Sequence, residues 1–525
     1  MEMSNNVLED AEREPVSNMA EETYTQPAGV ERPAYREPER RIYPAGKQEI
    51  VFMLGILGAS LFLANVTAFG GFNLGFAIAV IVCILCSSAY LIASGRKLTA
   101  YSGALLVMSI VIAASFARSD DGFVKFVMVC FLLVSVNLGL CLLAGKNRHD
   151  PGSAGTLTDA GYALFTLGFG EMGPATYGLK TSLKRSGSAG QKSLAVLAGL
   201  GIAIPILLVI VPLLMSADAA FEGLLNKLPK ISFGESVVTA FLGVGAACVL
   251  YARGVALRSG EKTEPVARRQ KGMAPLTVNT VLGAVCVVYS VYLVSQLAYF
   301  TSGLAGILPE EYTLAEYARR GFFEMAALCA VNLSIILFSL WIVKRQEKVP
   351  LSTRLFCLFL GMMTLFFVVA ASGKMVMYID SYGLTRLRLL TQIIMIYMGI
   401  VTVLVSVRLF VPKLPYMKVI VLSALVIGAT TAWADVDTVV AKYNVDAYLS
   451  GKMETVDVYY LDRLGDGAVP QIARLIDEAE NPKIAENAKR VLENRETDIP
   501  EDFRGWNYAD AEAAEYVRKP EKAEN

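Results

Sequence analysis

IVFMLGILGASLFLANVTAF, residues 50–69, is a bilayer's thickness of apolar chain without one charged residue. About 20 apolar residues cross roughly 30 Å of hydrocarbon. In that solvent each backbone polar group must be satisfied within the segment, so the stretch reads as a transmembrane helix. Ten further runs of the same kind follow, at 72–93, 98–117, 123–144, 194–215, 237–257, 278–300, 322–343, 355–372, 389–410 and 417–434. The expected fold class is therefore all-α, a polytopic transmembrane helix bundle of about 11 spans with a small helical C-terminal extracytoplasmic domain. Composition agrees, with 54% apolar and only 18% charged residues, a balance typical of chains that meet lipid.

Orientation follows from the loops, because basic residues are retained on the cytoplasmic side. Arg32, Arg36, Arg40, Arg41 and Lys47 precede the first span. With the loops after even-numbered spans and the helix ends, they bring one side to 26 basic residues against 9 on the other. The N-terminus is expected inside and the C-terminus outside. Residues 155–179 are apolar around 163–169, but Asp159, Glu171 and Pro174 interrupt them, so they are read as interfacial or re-entrant. Net charge is zero, which gives no reason to expect nucleic acid; the expected partner is the lipid bilayer.

Four segments follow from the composition. Residues 1–48 are polar and proline-bearing and read as a disordered cytoplasmic tail. Residues 49–434 are the bundle. After Ala434 the chain carries 21 acidic and 12 basic residues. Short helix-period stretches at 439–449, 456–464, 469–476 and 484–492, parted by Gly451, Gly465, Gly467 and Pro482, make 435–500 a helical extracytoplasmic domain. Residues 501–525 are expected to be a loosely ordered acidic tail.

The motifs that carry chemistry elsewhere are weak here. Gly168, Gly170 and Gly173 match G-x-G-x-x-G, but Pro174 follows at once and the downstream region is Lys-rich, so no dinucleotide site is expected. His149 is the only histidine, which excludes multi-histidine zinc sites. Asp462 and Asp466-Gly467 lack the remaining ligands of a calcium loop. All eight cysteines lie in spans, and Cys83-x-x-Cys86 reads as apolar packing. Asp435, Asp437, Asp120 and Asp121, at the outer ends of spans, read as solvated interfacial acids. No metal or cofactor is expected.

Polarity inside the spans is the stronger signal, because it is costly in hydrocarbon. Asn279, Cys286, Tyr289, Tyr292, Gln296 and Tyr299 fall on one stripe of the seventh span, with Asn137 and Asn332 able to meet it. The stripe reads either as interhelical hydrogen bonding or as the wall of a polar cavity. Pro205 and Pro212 kink the fifth span on one face. Lys125, Arg253, Glu324, Lys374 and Arg408 sit near span ends, where snorkelling accounts for them.

Five strings together resemble a bacterial membrane family: LMSADAAFE (214–222), AEYARRGFFE (315–324), YIDSYGLTRLR (378–388), AKYN (441–444), and Tyr460-Leu461 with GAVP (467–470). The chain resembles the domain of unknown function 4173, akin to 4153, over roughly residues 160–480. The resemblance implies a polytopic bacterial membrane protein and nothing catalytic. Because three strings centre on the loops after spans 5, 7 and 9 and the other two lie in the tail, all expected on the outer side, a shared outer-face assembly is expected. Its charged members are Glu316, Arg319, Arg320, Glu324, Asp380, Arg386 and Arg388, with the helical tail docked on it.

Three functions compete on these features. A permease-like transporter with an outward-facing polar cavity would take a small-molecule substrate. A non-transporting envelope sensor or assembly protein would present its tail to an envelope partner. A membrane enzyme on lipid-linked substrates is third. Arg320→Ala is expected to destabilise the protein, and Arg258→Ala, in an inside loop, is not.

Overall fold

Helix starts are set by side chains that accept the backbone N–H groups left free in a first turn. Thr99 takes the N–H of Ser102, Asp121 that of Val124, Thr385 that of Arg388, Asp457 that of Tyr460, and Asn481 that of Lys483. The computed structural model describes residues 42–43, 45–118, 120–185, 233–259, 272–304, 322–343, 349–495 and 502–517, with isolated positions between 203 and 217.

The described elements are α1 (Lys47–Gly70), α2 (Leu74–Ala93), α3 (Ala100–Ser115), α4 (Gly122–Ala144), α5 (Thr156–Gly161) running into a π-helical stretch (Tyr162–Gly170), and α6 (Met172–Arg185). Then come α7 (Phe233–Arg258), α8 (Pro275–Leu304), α9 (Phe322–Ile342), α10 (Leu351–Tyr382), α11 (Arg386–Phe410) and α12 (Tyr416–Ala434). A C-terminal module holds α13 (Val436–Leu449), α14 (Val458–Asp462), α15 (Val469–Glu478), α16 (Pro482–Glu493) and α17 (Tyr508–Ala513).

Among the described residues nine helices are long and apolar enough to cross a membrane: α1, α2, α4 and α7 to α12. The apolar α3, of 16 residues, stands where the third span is expected. The ninth expected span, 355–372, is only the middle of the 32-residue α10. The expected fifth span, 194–215, lies almost wholly outside the described residues.

One end of the bundle gathers Glu49 with Arg258, Lys146 with Ser259 (3.0 Å), and Met273 with Ile342 (2.9 Å). The other gathers Asp121, Arg386 and the C-terminal module. Residues 156–185 begin and end at the first. Asp159 accepts from the backbone N–H groups of Arg148 and His149, Ser182 accepts from the Ala45 N–H at 2.9 Å, and Leu167 between them is buried against α7. This segment enters and returns at one end. The flanks of 186–232 lie at opposite ends, α6 beside Ala45 and Glu235 of α7 beside Arg504.

Three apolar clusters hold the fold. One joins α1, α2, α4, the π-helical stretch and α7; a second joins α8 to α11. The third runs from α3, α4 and α12 straight into the module, through Leu425, Ala429, Val436, Val440, Leu461 and Ile472. The module thus shares a core with the bundle, its burial being the main stabilising term.

Residues 502–517 correct the expectation of a loose tail from 501 onward. Leu74 and Gly75 donate backbone N–H bonds to the carbonyls of Trp506 and Arg504, and Tyr508 donates to that of Ala117 at 2.8 Å. Gly70 allows the approach, since a methyl group there would lie 2.6 Å from Arg504 Cβ. Glycine is here a requirement of close backbone contact.

Gly383 turns the chain between α10 and α11, at φ 74°. A methyl group there would stand 2.7 Å from Asn444 Oδ1. Gly451 has the same φ with open space around it. Gly383→Ala is therefore expected to lower the detergent-solubilised melting temperature clearly more than Gly451→Ala, which carries only the backbone cost of about 1 kcal/mol. Equal shifts would show that the contact with Asn444 is dispensable.

Candidate functional site

The bundle and the module meet at Arg386, the first residue of α11. Its guanidinium donates to both carboxylate oxygens of Asp437 on α13, with Nη2 to Oδ2 at 2.6 Å, and to the carbonyl of Leu464. Asp121, which caps α4, lies 3.4 Å from Nε. The Arg386 backbone N–H, free at a helix start, donates to Tyr460 Oη at 3.2 Å. A planar fork with five donors suits this many acceptors.

Beside this junction Asn444 clasps Leu384 at both ends. Its Nδ2 donates to the Leu384 carbonyl at 2.8 Å and its Oδ1 accepts the Leu384 N–H at 2.7 Å. Lys452 Nζ donates to Asp380 Oδ1 at 2.6 Å, and Tyr443 Oη to the same oxygen at 3.3 Å. Both groups are exposed, so this pair contributes little. Arg388 covers the Tyr378 ring at 4.0 Å and donates to the carbonyls of Tyr382 and Gly383, closing the end of α10. Strings 378–388, 441–444 and 460–470 therefore meet in one place.

Of the predicted charged cluster, Asp380, Arg386 and Arg388 are brought together. Glu324 is exposed on α9 within reach of Lys374. Glu316, Arg319 and Arg320 lie outside the described residues, as do 218–222. Asp121 and Asp437 correct their reading as solvated acids, being 6% and 3% exposed, and Asp435 is buried beside them. Sequence reasoning missed them because a carboxylate just past a span looks the same whether it meets water or a distant arginine.

The predicted intramembrane stripe divides. Asn279 Nδ2 donates to Ser352, and Thr353 donates to Asn279 Oδ1 at 2.7 Å. Tyr289 Oη donates to Asn332 Oδ1 at 2.6 Å, and the Tyr289 and Tyr292 rings both meet Phe367 edge-on. This is helix-to-helix hydrogen bonding within a packed cluster. The side chains of Gln296 and Tyr299 lie outside what is described. Asn137 does not meet the stripe; its Oδ1 accepts from Arg253 of α7 at 2.7 Å. Arg253 in turn corrects its snorkelling reading, being 5% exposed. Arg258 is no free inside cation either, since it pairs with Glu49 and covers Tyr90.

In the module Arg495 holds Asp462 (2.6 Å) and Asp466 (2.8 Å). They line an open cleft of about 450 Å³ with Tyr459, Arg490, Val491 and Asn494. The two acids spaced like part of a calcium loop are thus neutralised by an arginine. Among the described residues no group of His, Cys, Asp or Glu is arranged to hold a metal ion.

Nine helices long and apolar enough to cross a bilayer, with large apolar side chains such as Leu276, Val287, Val291 and Val369 exposed on them, define a multi-pass integral membrane protein among the described residues. The family model described as Domain of unknown function (DUF4153) matches residues 51–475, and the chain belongs to that family. The match is thus to 4153 itself and not to its relative 4173, and it begins about a hundred residues earlier than the five strings indicate. No curated protein and no solved structure matches the chain.

Two carboxyl groups at the junction titrate unusually high. Burial raises Asp437 to about 6 despite Arg386, with Asp435 and Asp121 adding to the rise. Burial, then Asp466 and Asp120, raises Asp510 to about 7. A carboxyl raised in the folded state binds its proton more tightly there than when unfolded. Its ionisation penalty is absent below about 3.8 and complete above about 6 to 7. The melting temperature is expected to rise as pH falls from about 7.5 towards 5, and Asp510→Asn to flatten part of that slope. An unchanged slope in Asp510→Asn would remove Asp510 from the titration.

Proposed function

We propose that this is a non-transporting envelope protein of the bacterial plasma membrane, its bundle a platform that holds the C-terminal module on the extracytoplasmic face for a partner there. The observation that carries the reading is the shared core of bundle and module, sealed by Arg386 across Asp437 and Asp121. Alternating access in a transporter rocks one bundle against another around the site. A module that continues the hydrophobic core of the bundle is suited to presenting a fixed surface. The open cleft with exposed Tyr459 and Arg490 is a candidate surface of that kind. Sidedness rests on the basic-residue asymmetry of the loops.

The permease reading placed its cavity wall on the seventh span. Tyr289 of that span binds Asn332 of the eighth and packs on Phe367, which favours the non-transporting alternative.

Two measurements test the proposal. A membrane-impermeant thiol reagent should label Lys452→Cys in intact cells and Arg268→Cys only after permeabilisation, each in a background lacking the native cysteines. In a deletion strain, Tyr459→Ser combined with Arg490→Glu should fail to complement, while Tyr289→Phe should complement fully. The opposite pattern of complementation would return the protein to the permease reading.

A further inference from the structure

Arg253 is the charge that nothing above employs. It lies on α7 five residues before Arg258, roughly 7.5 Å inward along the helix axis, and is 5% exposed. Its side chain does not turn out towards the bundle end. Nη1 donates to Asn137 Oδ1 at 2.7 Å, and Asn137 sits seven residues inside the end of α4, roughly 10 Å in. The two helix ends are level, because Lys146 Nζ, just beyond α4, donates to Ser259 Oγ, just beyond α7. The guanidinium is thus held deep by a neutral partner.

A guanidinium presents five N–H donors, and the amide oxygen accepts from one nitrogen only. Nε is buried without a partner. Among the described residues no carboxylate forms an ion pair with Arg253 or lies within its electrostatic reach. The neighbouring ionisable group is the Cys83 thiol of α2. The undescribed run 194–215 contains no Asp or Glu either. Ser87, one turn from Cys83 on the same face of α2, buries a hydroxyl without a partner. An uncompensated buried charge is strongly destabilising, and each unsatisfied buried donor adds to that. The donors outnumber the acceptors and the site carries net positive charge.

We propose that α2, α4 and α7 form an internal binding site for a small inorganic anion of halide size, with Arg253 supplying the charge and Asn137 fixing the guanidinium. The anion neutralises Arg253 and accepts from Nε and the Ser87 hydroxyl. This site is independent of the module and of its proposed role.

The test uses the full-length protein purified in detergent, with chloride exchanged for gluconate at constant ionic strength. Ligand that binds only the folded state raises the melting temperature saturably, so wild type should melt several degrees higher in chloride. Asn137→Asp places a fixed carboxylate against the guanidinium. That variant should lose the chloride response and melt in gluconate at least as high as wild type does in chloride. Arg253→Gln should lose the response as well. A wild-type melting temperature indifferent to chloride, or an Asn137→Asp protein that responds like wild type, would overturn the proposal. The second readout holds even where Arg253→Gln fails to fold.

Discussion

Everything at the membrane–module junction depends on one guanidinium taken partly out of water. Arg386 compensates Asp437 and Asp121, binds the Leu464 carbonyl, and offers its own backbone N–H to Tyr460. Such an arrangement is not a large source of stability by itself, since desolvating the charges offsets much of their attraction. What it supplies is specificity of position. Removing the arginine would leave buried carboxylates with no counter-charge, so only one docking geometry of the module is tolerable.

Apolar burial then supplies the stability that the charges direct. The cluster running from α3 and α4 through α12 into the module has no break at the membrane boundary. The chain manages that crossing with Asp435, held at φ 56°, where the helical direction changes between α12 and α13. A non-glycine residue there implies a strain of order 1–3 kcal/mol that surrounding contacts must offset. Thr438 Oγ1, donating to Asp435 Oδ2 at 2.7 Å, is one such contact.

The bundle was legible in the sequence because hydrocarbon imposes a length and a composition that few other environments require. Run 50–69 and helix Lys47–Gly70 differ by only a few residues. The helices of the module were legible from apolar period and from Gly451, Gly465 and Pro482 as breaks. The candidate site was legible only in outline. The strings containing Asp380, Arg386 and Asn444 pointed to one face, but a string does not record its partner. Asp437 and Arg386 are 51 residues apart and Arg253 and Asn137 are 116 apart. A polar residue near a span end therefore read as solvated or snorkelling in each case. The tail failed for a related reason. Residues 502–517 are held by backbone bonds to the α1–α2 turn and to Ala117, and by Ala513 and Val517 in the shared core.

Those bonds bear on how the protein is made. Arg504 Nη1 reaches Asn65 across 439 residues of chain, and Gly70 and Gly75 are shaped for the backbone at Arg504. At roughly 5–20 residues per second of synthesis, the first hairpin of the bundle waits on the order of 20–90 s for the segment that covers it. During that interval its turn is exposed to whatever else occupies the surface. Insertion of the first helices and completion of their fold are thus separate events, the second deferred until the segment around Arg504 has been made.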